Sequence, residues 1–207
     1  ADLVARGDSI AVTNETMGGD PAFGVPKRLV VDYAIDGARL RREIPEEGML
    51  DFDDRRLPLL RGDFVIDRPV HSARLHATAL GVYDLYFNGE RLGDLALAPG
   101  WTDYRRRVHR QTHDVSGQIR QGRNALGAIV ASGWYAGRAG LFHARAFYGS
   151  TPAFACQLEL VFDDGTTQRF ISDEQWQRCA GPTLSADLME GEVFDARAAI
   201  DGWCDPD

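Results

Sequence analysis

The sequence predicts an all-β protein, an antiparallel β-sandwich preceded by part of a small β domain. Two observations carry this expectation. Apolar and polar residues alternate in short runs separated by turn residues, the pattern of half-buried strands, and helical periodicity is scarce. With 44% hydrophobic and 26% charged residues in 207, the composition is that of an ordinary globular chain, long enough for one good core or for one full domain and a small partner.

The first 56 residues suggest three or four short strands with long polar connections, marked by Val12, Gly18-Gly19-Asp20-Pro21, the apolar run at 29–33 and Ile44. A dense charged run at 51–56 then places a boundary near residue 56, giving a partial small β domain at 1–56 and a sandwich at 57–207. Strands follow at 63–66 and through Ala73, Leu75, Ala77 and Ala79. Tyr83, Leu85 and Phe87 lead into Asn88-Gly89, a pair suited to a two-residue hairpin turn, with a return at 92–94. Runs at 108–115 and 125–131 read as further strands, while 116–121 gives the one helical hint, capped by Ser116 and ended by Gly122. In Phe154, Cys156, Leu158, Leu160 and Phe162 every second residue is apolar. Asp164-Gly165 is read as a tight turn with positive backbone angles, and 168–172 as the return strand.

Charge and motifs exclude several functions. The 23 basic and 31 acidic residues leave a formal charge of -8, which repels a phosphate backbone and argues against nucleic acid, Arg105-Arg106-Arg107 being the only basic run. No stretch approaches the roughly 20 apolar residues of a membrane helix, and no charged start with an apolar run reads as a signal peptide, so neither a membrane partner nor a compartment is indicated. Three cysteines, Cys156, Cys179 and Cys204, without CxxC spacing suggest buried or idle thiols. His109 and His113 are four apart on what reads as a strand, where they would lie roughly 13 Å apart, too far to share a metal. No GxSxG elbow or GxxxxGK loop is present, and Glu190, Glu192 and Asp195 beside Phe194 read as a solvated edge or a domain contact. What remains is a set of aromatic loops: Trp101-Thr102-Asp103-Tyr104, Ser132-Gly133-Trp134-Tyr135, and Phe142-His143 leading to Phe147-Tyr148-Gly149. Aromatic faces suit the apolar face of a sugar ring, and oxygen-rich loops on a sandwich hold calcium; the alternative is that Trp101 and Trp134 plug the ends of the core.

A series of motifs then resembles the N-terminal region of bacterial α-L-rhamnosidases. It runs from Ala79-Leu80-Gly81-Val82-Tyr83-Asp84-Leu85-Tyr86-Phe87-Asn88-Gly89 through Pro99-Gly100-Trp101-Thr102-Asp103-Tyr104, Thr112-His113-Asp114-Val115, Gly133-Trp134-Tyr135-Ala136-Gly137 and Ser172-Asp173-Glu174-Gln175-Trp176. It closes with Gly191-Glu192-Val193-Phe194-Asp195-Ala196-Arg197 and Gly202-Trp203, so that the resemblance covers about residues 57–204. Residues 12–33 look like part of a small β domain found beside such enzymes.

The resemblance implies a jelly-roll-like, galactose-binding-like sandwich and a parent enzyme that hydrolyses terminal L-rhamnose with inversion. The pair of catalytic glutamates would belong to a separate C-terminal (α/α)6 domain, so that this chain looks like a fragment of the enzyme and is expected to be inactive alone. It also implies a calcium-dependent rhamnose-binding module in which an Asp-Asn pair contacts ion and sugar. Asp103 would be that acid and the metal ligand, followed by Tyr104 where a functional module would carry Asn. Trp134 and Tyr135 would wall the site with Trp101, Tyr104 and His143, and the loop at 143–152 would give carbonyls. The partner would be an L-rhamnose-containing carbohydrate. The competing reading is a purely structural sandwich that supports the catalytic domain and binds no sugar; an independent small hydrolase is a third.

Overall fold

The computed structural model describes residues 10–35, 38–50, 56–139 and 144–206. The charged positions 51–55, and Phe142 and His143, lie outside the described residues. The chain divides into two compact units, Ala1–Arg55 and Arg56–Asp207.

The first unit contains β1 (Ile10–Ala11), β2 (Arg28–Ile35), β3 (Ala38–Pro45) and β4 (Met49–Leu50). β2 and β3 form a long antiparallel ribbon, and β1 pairs with β4. Val12, Ile44 and Leu50 are buried together, with Leu29 and Val31 packed against them. Lys27 Nζ reaches both Asp20 (2.8 Å) and Glu46 (3.3 Å), which ties the glycine-rich connection to the foot of the ribbon.

The second unit is a sandwich of two antiparallel sheets. Its strands are β5 (Pro58–Ile66), β6 (Val70–Leu80), β7 (Val82–Phe87), β8 (Glu90–Leu92), β9 (Gln111–Asp114) and β10 (Gly122–Ala131). A single helical turn, α1 (Gly133–Ala136), precedes β11 (Arg138–Ala139), β12 (Ala144–Arg145), β13 (Ala153–Phe162), β14 (Thr167–Ile171), β15 (Gln177–Ala180), β16 (Thr183–Asp187) and β17 (Gly191–Phe194). One sheet has the order β15-β5-β10-β7-β8, the other β14-β13-β6-β9; β11-β12 and β16-β17 are small ribbons.

The period-two pattern explains the packing. On β13, Leu158, Leu160 and Phe162 point to one face, and their partners on β6 include Leu75 opposite Leu158 and Ala73 opposite Leu160. These meet Phe64, Ile66, Leu85, Phe87, Leu126, Ala128 and Val130 from the other sheet in one core. Burying each of the larger side chains contributes roughly 1.5–3 kcal/mol. β10 is buried on both faces from Asn124 to Ala128, because it is the central strand of its sheet and its outer face is covered there by Trp203 and Cys204. A Cβ on Gly127 of β10 would lie 2.5 Å from the Trp203 ring and 2.7 Å from Cys204 Sγ, so only glycine admits that segment.

Local expectations met different fates. Asn88 and Gly89 both take positive φ (49° and 84°), as a two-residue hairpin requires. At Asp164-Gly165 only the glycine does (φ 79°). Gly165 N–H donates to Phe162 O and Phe162 N–H to Thr166 O, which makes the wider turn whose last residue is left-handed. The helical hint at 116–121 is a pair of turns instead, because Ser116 Oγ accepts from Ala73 N–H across the sheet (2.9 Å) and donates to Asp114 (2.6 Å), rather than capping a helix. The strand expected at 108–115 is limited to Gln111–Asp114, which leaves His109 in a loop. Cys156 and Cys204 are buried, and burial pushes their thiols up to about 12 and about 11 respectively; Cys179 is exposed.

Candidate functional site

The loops at one end of the sandwich gather the aromatic residues. This is the end where Val82 pairs with Ala131 and Ala153 with Leu80. The connection between β8 and β9 carries Trp101, Asp103 and Tyr104, α1 carries Trp134 and Tyr135, and the loop after β12 carries Phe147 and Tyr148. Gly133, at φ +50°, lets the chain turn off β10 into α1: a Cβ there would lie 2.7 Å from Val82 Cγ1 and 3.1 Å from backbone. Gly149 is equally constrained, since its Cβ would fall 2.2 Å from the Tyr135 hydroxyl.

The rings are ordered against one another. Trp101 stacks on Trp134 with centroids 6.2 Å apart and planes 10° from parallel. Tyr104 meets Tyr135 (5.3 Å) and Tyr148 (5.1 Å) edge to face, and Tyr148 meets Phe147 (4.8 Å) in the same way. Such pairs each contribute about 0.5–1.5 kcal/mol beyond their area. The Arg105 guanidinium lies over Phe147 (4.9 Å) and Tyr148 (5.5 Å) and donates to Phe147 O (3.3 Å). Trp101 is nevertheless 59% exposed and Phe147 is exposed as well, so the cluster presents apolar rings to solvent.

Four of the expected site residues, Trp101, Tyr104, Trp134 and Tyr135, are thus brought together, and Asp103 sits in the same loop. His143 lies outside the described residues. Tyr104, where the resemblance led to Asn, is the ring that joins the Trp101 loop to Tyr135 and Tyr148. Burial first, then neighbouring Tyr148, raises its phenol above the usual range, so it stays a neutral hydroxyl, donating to Gly100 O (3.4 Å). Arg105, Phe147 and Tyr148 join this cluster beyond the residues expected from sequence. The signal available was the aromatic pair Phe147-Tyr148 and the basic run at 105–107.

Asp103 is exposed and its Oδ1 accepts from Arg105 N–H (3.2 Å), while its carbonyl accepts from Arg106 and Arg107 N–H (2.8 and 3.0 Å). Calcium takes six to eight oxygens, commonly from several carboxylates. Among the described residues no three His, Cys, Asp or Glu side chains converge on a metal position, and the connection between β8 and β9 carries two carboxylates, Asp94 and Asp103. The Glu190, Glu192 and Asp195 group is spread over an exposed ribbon, with Glu190 held by Arg138 (2.6 Å) and Asp195 by Arg197 (2.7 Å).

A second concavity, about 630 Å³, lies at the β15 and β5 edge of the five-stranded sheet and is lined by Leu59, Arg61, Val65, Cys179, Ile200 and Trp203, among others. The Arg61 guanidinium is fixed there by Asp63 and by the carbonyls of Trp203 and Asp205.

A family described as the α-L-rhamnosidase N-terminal domain matches residues 68–207. An α-L-rhamnosidase of Streptomyces avermitilis is 50% identical over 148 residues, covering 71% of this chain and 14% of its own length. One from Formosa agariphila is 36% identical over 162 residues, covering 76% of this chain and 18% of its own. Among solved structures, the Streptomyces avermitilis α-L-rhamnosidase complexed with L-rhamnose superposes at a TM-score of 0.71 with 48% identity, covering 73% of this chain and 15% of that one. The Aspergillus terreus α-L-rhamnosidase superposes at 0.70 with 38% identity, covering 72% and 17%. The chain therefore spans less than a fifth of the length of these relatives. By its sheets, its residues 68–207 and these likenesses, the chain belongs to the α-L-rhamnosidase N-terminal domain family.

Proposed function

We propose that this chain is a non-catalytic carbohydrate-binding module of an α-L-rhamnosidase, and that its ligand is an L-rhamnose-containing carbohydrate held at the aromatic end of the sandwich. The parent enzyme would hydrolyse terminal L-rhamnose in a domain outside residues 1–207. The observation that carries the reading is the Trp101–Trp134 stack, with Trp101 59% exposed. An indole left in water forgoes burial worth about 25 cal/mol per Å², and six aromatic rings in one loop cluster offer a ready apolar platform for a pyranose face. Asp103 and the carbonyls near it would take sugar hydroxyls.

Calorimetric titration with L-rhamnose, once with excess calcium and once with chelator, tests this. Heat is expected with the native chain, with Trp101→Ala weakening binding about tenfold or more while leaving the unfolding midpoint within a degree or two, since the ring is mostly solvated. Asp103→Ala is expected to weaken binding with equally little effect on folding. Silence with a folded chain would favour the second reading, a supporting sandwich. That reading draws on the 630 Å³ groove, whose apolar walls of Val65, Ile200 and Trp203 suit a neighbouring domain. Calcium-dependent heat would restore the ion to the site through donors other than the Asp103 side chain alone.

A further inference from the structure

Arg145 differs from the other cations at the aromatic end. It lies on β12 opposite Arg138 of β11, and β12 runs directly into the Phe147-Tyr148 loop. Ala146 N–H donates to Gly137 O and Tyr148 N–H to Tyr135 O, both at 3.3 Å, so this segment is stitched to the one that bears Trp134 and Tyr135. Arg145 Nη1 is buried and has no hydrogen-bond partner. Nor does Arg145 make an ion pair among the described residues. The carboxylates that reach the ribbon are engaged elsewhere: Glu190 takes Arg138 Nε (2.6 Å), and Asp187 takes the backbone N–H groups of Arg138 and Met189 (both 2.9 Å).

Arg145 as a whole is half-buried, and Nη1 is its enclosed nitrogen. A charged donor enclosed without a partner is disfavoured, and the group that satisfies a guanidinium best is a carboxylate, which matches its fork with two parallel hydrogen bonds. The surroundings point the same way. Arg105 lies over Phe147 and Tyr148, and Arg106 and Arg107 follow it, so cations collect beside exposed rings in a chain whose formal charge is -8. Rings and an unsatisfied cation together select a sugar that carries an anion.

We propose that the aromatic end binds an acidic saccharide, with Arg145 taking the carboxylate of a uronate unit and the aromatic cluster carrying the adjoining ring. This rests on the sugar-binding reading above and narrows its ligand. The test is titration of the chain with sodium D-glucuronate, with the methyl ester of D-glucuronic acid, which keeps the ring and loses the charge, and with L-rhamnose.

Glucuronate is expected to bind about tenfold or more tightly than the ester, with the preference shrinking as salt rises. Arg145→Gln is expected to erase the preference and Arg145→Lys to retain part of it. Arg145→Met is expected to raise the melting temperature of the ligand-free chain, because it removes a charge without a partner. Equal affinity of the native chain for acid and ester overturns the proposal without recourse to any variant, and so does an undiminished preference in folded Arg145→Gln. Binding of L-rhamnose without binding of glucuronate overturns the acidic ligand and leaves the sugar-binding reading standing; binding of none of the three overturns both.

Discussion

The two ends of the sandwich solve the same problem in opposite ways. Both must close a core with loops, whose polar backbone has to be satisfied. At the end where Phe87 pairs with Leu126, two amides do it from inside. Asn124 is 0% exposed: its Nδ2 donates to Arg120 O and Gly122 O, and its Oδ1 accepts from Arg120 N–H and Asn88 Nδ2. Asn88 in turn donates to Gln118 O and accepts from Ala125 N–H. At the other end the rings of Trp101 and Phe147 face solvent, and the nearby Arg145 Nη1 is buried without a partner. A fully satisfied network makes a rigid, ligand-indifferent cap, whereas an exposed apolar cluster beside an unsatisfied donor is an end whose best interactions are still to be made.

The comparison breaks most sharply at Asn124. Asn124→Ala would strip partners from Asn88 Nδ2 and from the loop groups of Arg120 and Gly122, each buried group left unsatisfied costing about 1–3 kcal/mol. We expect a loss of about 3 kcal/mol in urea unfolding, with the affinity of the aromatic end unchanged. A parallel fall in sugar affinity at temperatures where the variant is folded would show that the two ends are coupled rather than independent.

Gly127→Ala probes the same end from outside. Trp203 packs on Gly127 and meets Tyr86 at 5.1 Å, and a Cβ at 127 would push both Trp203 and Cys204 off the sheet. Overpacking of this kind costs about 1–3 kcal/mol. The expected loss is about 2 kcal/mol, accompanied by a red-shifted tryptophan emission as Trp203 is exposed and by faster reaction of Cys204 with a thiol reagent. A loss of stability with Cys204 still protected would place the strain in β10 rather than in the covering segment.

How far the sequence foretold all this depended on the range of the determining contact. Period-two runs such as 154–162 were legible because each strand announces its own buried face, and Asn88-Gly89 because a turn type is chosen by two adjacent residues. The helical hint at 116–121 failed for the opposite reason: Ser116 is committed to Ala73, 43 positions earlier, a contact that no local pattern announces. At the site, the aromatic residues were visible as composition, and their order was not. Tyr104 read as a lost oxygen ligand when viewed against Asp103 alone; only the fold brings Tyr135 and Tyr148 to it. Nothing in the sequence singles out Arg145, because a lone arginine carries no sign that its partner is missing.

The smallest effect, and the one that sharpens the contrast within the loops, concerns His113. It stands on β9 opposite Leu75, which is fully buried, so its ring enters the seam between the sheets. Its Nε2 is buried without a partner, its Cε1 lies against Gly93, and the small cavity beside it is lined by Tyr83, Asp84, Arg91 and Leu95. Burial holds the imidazole below its ordinary value of 6.5. As pH falls through that value the unfolded chain takes up a proton that the folded chain refuses until lower pH, so stability declines across the window between the two and levels off beneath the folded value. His113→Leu should flatten that portion of a melting-temperature profile, followed from about pH 7 down to about pH 5, where an imidazole changes charge. Because β9 ends the loop that carries Trp101 and Tyr104, the same acidification should loosen the aromatic end and leave the Asn88–Asn124 end protected, a difference that amide exchange at pH 5 and pH 7 reads directly. Uniform loss of protection at both ends would mean that His113 reports on global unfolding, and that the aromatic end has no independent freedom to close on a ligand.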